Sequence, residues 1–431
     1  MKVAIAGYGI EGKANLEYWR RLGVETEVLD EKEVVDVPDG VRVVSGKDVF
    51  SDLSSYDMVV RTASLRPDKL ASAKKVWSAT NEFFLKCPAP IIGVTGTKGK
   101  GTTSSLIASI LQAAGKTVHL VGNIGVPALE VLPRVQPGDV VVFEMSSFQL
   151  WDIEKSPQTA VVLMIEPDHM DVHESMDEYI TTKSHIAAYQ TASDTTIYHP
   201  NNQFSRLTAL AGDGRKVRYM TADDGGVYEE SNNFCVQGKQ ICSLEALQIP
   251  GRHNVENACA AITAVLAYDP SLSSGDIEVG LRSFTGLPHR LKFIREVDGV
   301  RYYDDNYSSA PGAAIAAMRS FTEREVLVMG GYDKKIDFTE LASAIALQPN
   351  IGRIVLIGQT RHAIATALDI AGKTDIYELS DETTLQPIIQ RVKTLAGPGD
   401  VVVMSPACAS FDMFRNFSDR GDQFIAAIGG L

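Results

Sequence analysis

The sequence predicts an α/β protein of three domains in series, placed at residues 1–88, 89–286 and 287–431. Three observations carry that reading. The chain has 431 residues, nearly three times the ~150 of a usual domain, and a single core seldom grows past ~250–300 residues. Apolar runs of strand length alternate with stretches of helical periodicity along the chain. Two glycine-rich loops, near residues 7–12 and 96–101, each lie between such a run and such a stretch.

The first domain reads as Rossmann-like. Residues 3–6 are apolar and lead into Gly7-x-Gly9-x-x-Gly12, after which Leu16, Trp19 and Leu22 recur at helical spacing until Gly23. Residues 27–29 form the next strand, and Asp30 follows it, eighteen residues after the last glycine. Strand, glycine turn, helix and distal acid make a dinucleotide-type fingerprint, in which the turn approaches a diphosphate and the acid a ribose. Tight packing of strand on helix, with nothing bound, is the alternative.

Cys87-Pro88-Ala89-Pro90 reads as a linker. A strand at 91–95, a helix at 103–114 and strands at 118–121, 140–143 and 160–165 then predict a central ATPase-type α/β domain. Residues 211–245 are polar and glycine-rich and read as small strands or an insertion. Strands at 325–329, 353–357, 375–379 and 401–404 predict a third doubly wound unit, again Rossmann-like.

Gly96-Thr97-Lys98-Gly99-Lys100-Gly101-Thr102-Thr103 lies between a strand and a helix. Loop amides and a helix N-terminus there cradle phosphate oxygens, a lysine reaches the β- and γ-phosphates, and a hydroxyl ligates Mg²⁺. Because Gly101 follows Lys100, the hydroxyl must come from Thr102 or Thr103. Glu144 ends the apolar run VVVFE, where a carboxylate beside a phosphate loop holds Mg²⁺ directly or through water; helix capping is its other use.

At these residues the chain resembles the Mur ligase family over essentially its whole length. The carriers are Gly122-Asn123-Ile124-Gly125, Glu144-Met145-Ser146-Ser147-Phe148-Gln149-Leu150, Asp168-His169-Met170-Asp171 with Tyr179-x-x-x-Lys183, Gly251-Arg252-His253-Asn254-x-x-Asn257, Leu287-Pro288-His289-Arg290, and the run from Ser405 to Phe424. The last is closest to members that join D-glutamate to UDP-N-acetylmuramoyl-L-alanine. The resemblance implies an ATP-dependent amide ligase of peptidoglycan precursor synthesis, working through an acyl phosphate with two Mg²⁺ ions. A carboxylate acylates poorly until its oxygen becomes a leaving group, and joining two anions needs cations between them.

The same resemblance implies the site. Lys100, His169 and Lys183 are the catalytic set, with Lys183 carried as an N-carbamate; Thr102, Glu144, His169 and carbamylated Lys183 would hold metal. ATP would meet Gly96 to Thr103 and, at its adenosine half, His253, Asn254, Asn257, Arg290 and Asp305. Gly7, Gly9, Ile10, Gly12 and Asp30 would serve the UDP moiety, and Asn123 and Ser146 the muramoyl-alanine arm. Glu11, out of place in a loop meant for phosphates, is expected to point outward. Ser309, Lys334, Ser410, Phe411 and Phe417 would meet the amino acid, although Lys335 could replace Lys334 and the two phenylalanines also read as core aromatics. Without the motif, Lys183 reads as a solvated helix lysine, His169 as a capping or core histidine, and Asn254 as a helix cap.

The chain departs from the family pattern in three places. Its phosphate loop ends GKGT, more like folylpolyglutamate synthases. A lysine of the family is missing from Asp305-Asn306-Tyr307-Ser308-Ser309-Ala310, and the loop Thr62-Ala63-Ser64-Leu65-Arg66-Pro67 replaces a serine-rich one. The missing lysine bears on which amino acid is joined more than on the reaction, and the replaced loop on the contacts to UDP. A folylpolyglutamate-synthase-like ligase is the nearest alternative, and an NAD-dependent dehydrogenase, suggested by the first glycine turn, is the alternative from another class.

Composition narrows the field. Hydrophobic residues at 45% and charged residues at 22% exclude a disordered chain. A net charge of −13 argues against nucleic acid as partner. No apolar run approaches the ~20 residues of a membrane span, and the N-terminal run reads as a strand, not a signal peptide. Five scattered cysteines offer no zinc spacing and fit a reducing compartment. A cytoplasmic monomer acting on small molecules is expected.

Overall fold

A computed structural model describes residues 1–123 and 126–431. The chain forms two compact units, Met1–Ala246 with Val255–Ser283, and Leu247–Asn254 with Phe284–Leu431.

The first unit contains two parallel sheets. Strands β1 (Lys2–Ala6), β2 (Glu25–Asp30), β3 (Arg42–Ser45), β4 (Met58–Arg61) and β5 (Val76–Ser78) lie in the order β3-β2-β1-β4-β5. β1 and β4 are almost wholly buried, as parallel strands covered on both faces must be. The chain winds outward from β1 to β3 and then returns to β4, so the carboxyl ends of β1 and β4 flank a topological switch point, where open α/β sheets bind ligands. The helix Ile10–Arg21 buries Gly12, Asn15, Leu16 and Trp19. Leu22, expected on that face, is the C-cap and lies exposed. At Gly12 the helix crosses β1 so closely that a Cβ would overlap the carbonyl of Gly7.

The second sheet comprises β6 (Ile91–Thr95), β7 (Val118–Gly122), β8 (Val140–Glu144), β9 (Thr159–Val162), β10 (Thr195–Tyr198) and β11 (Arg215–Arg218), all parallel, in the order β11-β10-β9-β6-β8-β7. With β8 and β9 on either side of β6, the segments following all three strands leave from one edge. β9 stops three residues short of the expected 165. β6 turns into the glycine loop at Gly96, which ends its ladder with β9 at Val162, where the pairing with β10 also ends, and the Thr97 amide caps the Met164 carbonyl at 2.9 Å.

Within 211–245, β11 joins the second sheet, while β12 (Val227–Glu230), β13 (Asn233–Val236) and β14 (Lys239–Ser243) form a separate antiparallel sheet. Two-residue turns, Ser231-Asn232 and Gln237-Gly238, connect them with φ of 49°, 62°, 49° and 74°, the left-handed pair that hairpin twist selects.

The second unit is built on β15 (Lys292–Val297), β16 (Val300–Asp304), β17 (Glu325–Gly330), β18 (Ile351–Ile357), β19 (Tyr377–Leu379) and β20 (Val401–Met404). The order is β15-β16-β20-β17-β18-β19, with only β15 antiparallel to its neighbour. Alternate residues of β17, β18 and β20 feed apolar clusters on the two faces. The segments after β16, β20, β17 and β18 therefore share one edge. Among the described residues no helix is long and apolar enough to cross a membrane.

Candidate active site

The phosphate loop joins β6 to the helix Lys100–Ala113. That helix begins three residues before the expected start, because Gly99 caps it in the left-handed conformation, φ 84°. A Cβ at Gly99 would overlap Asn257 Oδ1. Gly99, Lys100, Gly101 and Thr102 thus sit at the opening of the helix, with its unpaired amides. Lys100 Nζ donates to the carbonyls of Gly96 (3.1 Å) and Thr97 (2.9 Å), folded over the loop it would share with a phosphate. Lys98 points outward and pairs with Glu166 at 3.3 Å. Thr97 Oγ1 donates to the Glu166 carbonyl and accepts from the Glu166 amide, both at 2.9 Å, fixing the loop to the segment after β9.

The two threonines differ. Thr103 is buried and donates to Asn257 Oδ1 at 3.4 Å. Thr102 is half-buried, and among the described residues its hydroxyl has no hydrogen-bond partner.

Glu144 ends β8, in register with Val94 of β6, and lies buried while accepting from Asn123 Nδ2 at 3.3 Å. Lys183 is on the helix Met176–Ala188, capped by Ser175. It is 1% exposed, not solvated. Its Nζ donates to the Gly96 carbonyl at 3.0 Å and lies 4.6 Å from the Tyr179 ring centre. No carboxylate pairs with it among the described residues. Burial, then the positive Lys100, push its pKa well below the ordinary lysine value, with Asp168 acting weakly the other way. A neutral amine is the form that takes up CO₂. His169 is half-exposed with φ 56°, 3.6 Å from Asp168 and 4.9 Å from the Phe148 ring. His173, not anticipated, is buried between Trp151 (4.7 Å) and Phe148 (5.8 Å), and burial lowers its pKa.

This donor set fits a nucleotide with a hard cation. Mg²⁺ takes one or two carboxylates, a hydroxyl and phosphate oxygens, and among the described residues no three His, Cys, Asp or Glu side chains gather into a metal cluster of their own.

At the switch point of the first sheet is a cavity of about 520 Å³. It brings together Gly9, Ile10 and Gly12 of the first loop with Asn123 and Ser146, all expected at the UDP-sugar. Ser146 also caps the short helix Ser147–Leu150 in a capping box with Gln149. Gly7 and Asp30 are not among its lining residues; Asp30 accepts from the amides of Tyr8 (2.8 Å) and Lys32 (2.9 Å). Glu11 does not point outward. Its carboxylate lines the cavity and accepts the Ala63 amide at 2.7 Å, because the loop after β4 turns that N–H toward it. Thr62, Ala63 and Ser64, given no role from sequence, also line the cavity. Their loop is fixed by fully buried Arg61, which donates to the carbonyls of Thr62, Ala63 and Leu65 and pairs with Asp152 at 2.6 Å. Ile124 and Gly125 of the GNIG segment lie outside the described residues.

In the second unit, His253 and Asn254 open the helix Arg252–Tyr268, Asn254 Nδ2 reaching back to the Pro250 carbonyl; Asn257 belongs to the first unit. The Arg290 guanidinium stacks on Tyr307 at 3.8 Å. Asp305, expected beside adenosine, is turned inward: it accepts from Leu291 N (3.1 Å), Ser405 Oγ (2.7 Å) and Ser308 Oγ, and burial pushes its pKa up to about 7. Ser309, Lys334, Ser410 and Phe411 fall on the loops at the common sheet edge. Phe411 and Phe417 are exposed, 62% and 39%, and not core aromatics, while Ser410 is buried. Lys335 pairs with Asp333 at 2.6 Å, whereas Lys334 has no ion pair among the described residues. Buried Arg420 ties Asn306 to the carbonyls of Cys408 and Ala409 and so joins the two loops.

The family described as Mur ligase middle domain matches residues 94–265, and that described as Mur ligase, glutamate ligase domain matches residues 289–408. The UDP-N-acetylmuramoylalanine–D-glutamate ligase of Clostridium kluyveri is 34% identical over 450 residues, covering 100% of this chain and 97% of that one. The enzyme of the same name from Acetivibrio thermocellus is 36% identical over 454 residues, covering 100% and 96%. The chain belongs to the Mur ligase family. As a Mur ligase it also shares its fold with solved structures of low identity. UDP-N-acetylmuramate-alanine ligase from Thermotoga maritima superposes with a TM-score of 0.62 at 17% identity over 100% of this chain and 99% of that one. Folylpolyglutamate synthase of Mycobacterium tuberculosis complexed with ADP gives 0.58 at 15%, over 81% and 93%.

Proposed function

We propose that this Mur ligase joins D-glutamate to UDP-N-acetylmuramoyl-L-alanine with hydrolysis of ATP to ADP and phosphate, a step of peptidoglycan precursor synthesis. The reading is supported by full-length identity to relatives bearing that name. The observation that carries it is the shared edge of β6, β8 and β9, which sets the phosphate loop, Glu144 and the segment leading to His169 side by side, with Lys183 against Gly96.

ATP with Mg²⁺, when bound, supplies the phosphoryl group that turns the acceptor carboxylate into an acyl phosphate. The amine of D-glutamate then attacks the acyl carbon, forming the amide, releasing phosphate and losing a proton. For this chemistry the chain contributes charge and position. Loop amides and Lys100 would offset the phosphate charge, and Thr102 and Glu144 would hold the cation. Lys183, as a carbamate, would become an anion able to hold a second one, and His169 would approach the acceptor. The Gly9–Gly12 cavity would take the UDP-sugar, and Ser309, Lys334, Ser410, Phe411 and Phe417 the amino acid. His253, Asn254, Asn257 and Arg290 would surround the adenosine half of ATP.

This reading carries with it three domains at 1–88, 89–286 and 287–431, and a monomer at work in the cytoplasm, where ATP and sugar nucleotides are found. The GKGT ending of the loop favours one second reading, a folate-type polyglutamyl ligase. In a phosphate-release assay, release should require both the UDP-muramoyl acceptor and D-glutamate. Release that proceeds as fast without the acceptor, or with a folate in its place, contradicts the assignment.

A further inference from the structure

A site for a sugar diphosphate is expected to be rich in cations, and this cavity is not. Among its described lining residues Glu11 is the one charged side chain; the rest are apolar, small or neutral polar groups such as Asn123, Ser146 and Thr80. Glu11 lies in the first turn of the helix Ile10–Arg21, where helix amides favour an anion. Its carboxylate accepts the Ala63 amide at 2.7 Å, from the loop after β4, and so holds the protein's own negative charge at the wall of the cavity. Arg61, the cation whose charge acts on Glu11, is already paired with Asp152 at 2.6 Å. Burial is the largest influence on the Glu11 pKa and raises it; the Ala63 amide and Arg61 lower it, and Asp152 raises it. A carboxylate accepts up to about four hydrogen bonds, which leaves acceptor positions open beyond Ala63.

We propose that Glu11 sets the specificity of this cavity: it holds the ligand's diphosphate away from the start of the helix and accepts hydrogen bonds from nucleoside donors, the ribose hydroxyls or the uracil imide N–H. The proposal rests on reading the cavity as the sugar-nucleotide site. It distinguishes this chain from a diphosphate-binding glycine loop, in which the same helix end meets phosphate directly.

The test is binding of uridine, UMP and UDP to the full chain without ATP, by calorimetry or ligand-observed NMR, for the wild type, Glu11→Gln and Glu11→Ala. Glu11→Gln retains an acceptor for Ala63 and removes the charge. It should tighten UDP by about fivefold or more, and UMP by less, as expected for loss of like-charge repulsion in a partly desolvated site. Glu11→Ala, lacking the acceptor, should weaken uridine several-fold. UDP affinity that is unchanged or weaker in Glu11→Gln overturns the proposal and leaves the sugar-nucleotide reading intact. If ATP binds the wild type while uridine, UMP and UDP do not, both fall.

Discussion

Lys183 is the residue at which sequence and structure have most to say to each other. Its spacing from Tyr179 suggested a role, but a lysine on a helix is ordinarily solvated. The structure removes it from water, gives it a carbonyl instead of a carboxylate, and sets Lys100 nearby. Lys183→Ala should lower ligation by about a hundredfold or more, the scale of losing an electrostatic group in a closed site, and acetate or formate should restore part of it. Lost activity that no short acid recovers contradicts the carbamate. Other residues were legible only in part. Thr102, named for the metal, and its neighbour Thr103 both fit the motif, and the structure separates them: Thr103 is buried and bonded to Asn257, Thr102 half-buried. Glu11 was misjudged because its direction is set by the Ala63 amide, 52 residues away.

At the scale of elements, strands flanked by glycine loops could be read directly, because buried parallel strands are continuous apolar runs and phosphate loops need glycine. Gly99 shows why: φ is 84°, and Asn257 fills the space a side chain would need. Gly99→Ala should cost about 1–2 kcal/mol of backbone strain. Nucleotide titrations should show ATP affinity falling at least tenfold while UDP affinity stays within about twofold; equal loss of both contradicts the separation of the two sites. The hairpins at β12–β14 were not legible in detail. Their strands are short and polar, and the turn residues Ser231-Asn232 and Gln237-Gly238 carry a weaker signal than Asn-Gly. β9 was read too long because its end is set by the departure of β6, whose paired residues lie 67 positions upstream.

For the whole molecule, periodicity and length indicated an α/β chain of several doubly wound units, and the described residues form two parallel sheets, a third that is parallel except for its edge strand β15, and a small antiparallel one. What the sequence could not show is how buried charge is used. Arg61 and Arg420 are both fully buried and fasten loops at the sheet edges, although arginine is normally read as surface. Glu325 opens β17 fully buried, accepting from Asn350 Nδ2 at 2.9 Å, and burial pushes its pKa up to about 8. Folding therefore favours its protonated form. That contribution is complete below the unfolded value, near 4.5, and disappears as pH rises through about 8. Denaturant unfolding at pH 6 and pH 9 should show Glu325→Gln losing less stability between the two than the wild type, by a few kcal/mol at most. Equal losses contradict a buried, neutral Glu325.

The chemistry of the whole enzyme comes down to one oxygen atom. With UDP-N-acetylmuramoyl-L-alanine labelled with ¹⁸O in its carboxylate, mass spectrometry of the phosphate released during D-glutamate ligation tests the account most directly. One ¹⁸O per phosphate is expected, carried over when the acyl phosphate is broken by the amine; phosphate free of label contradicts it.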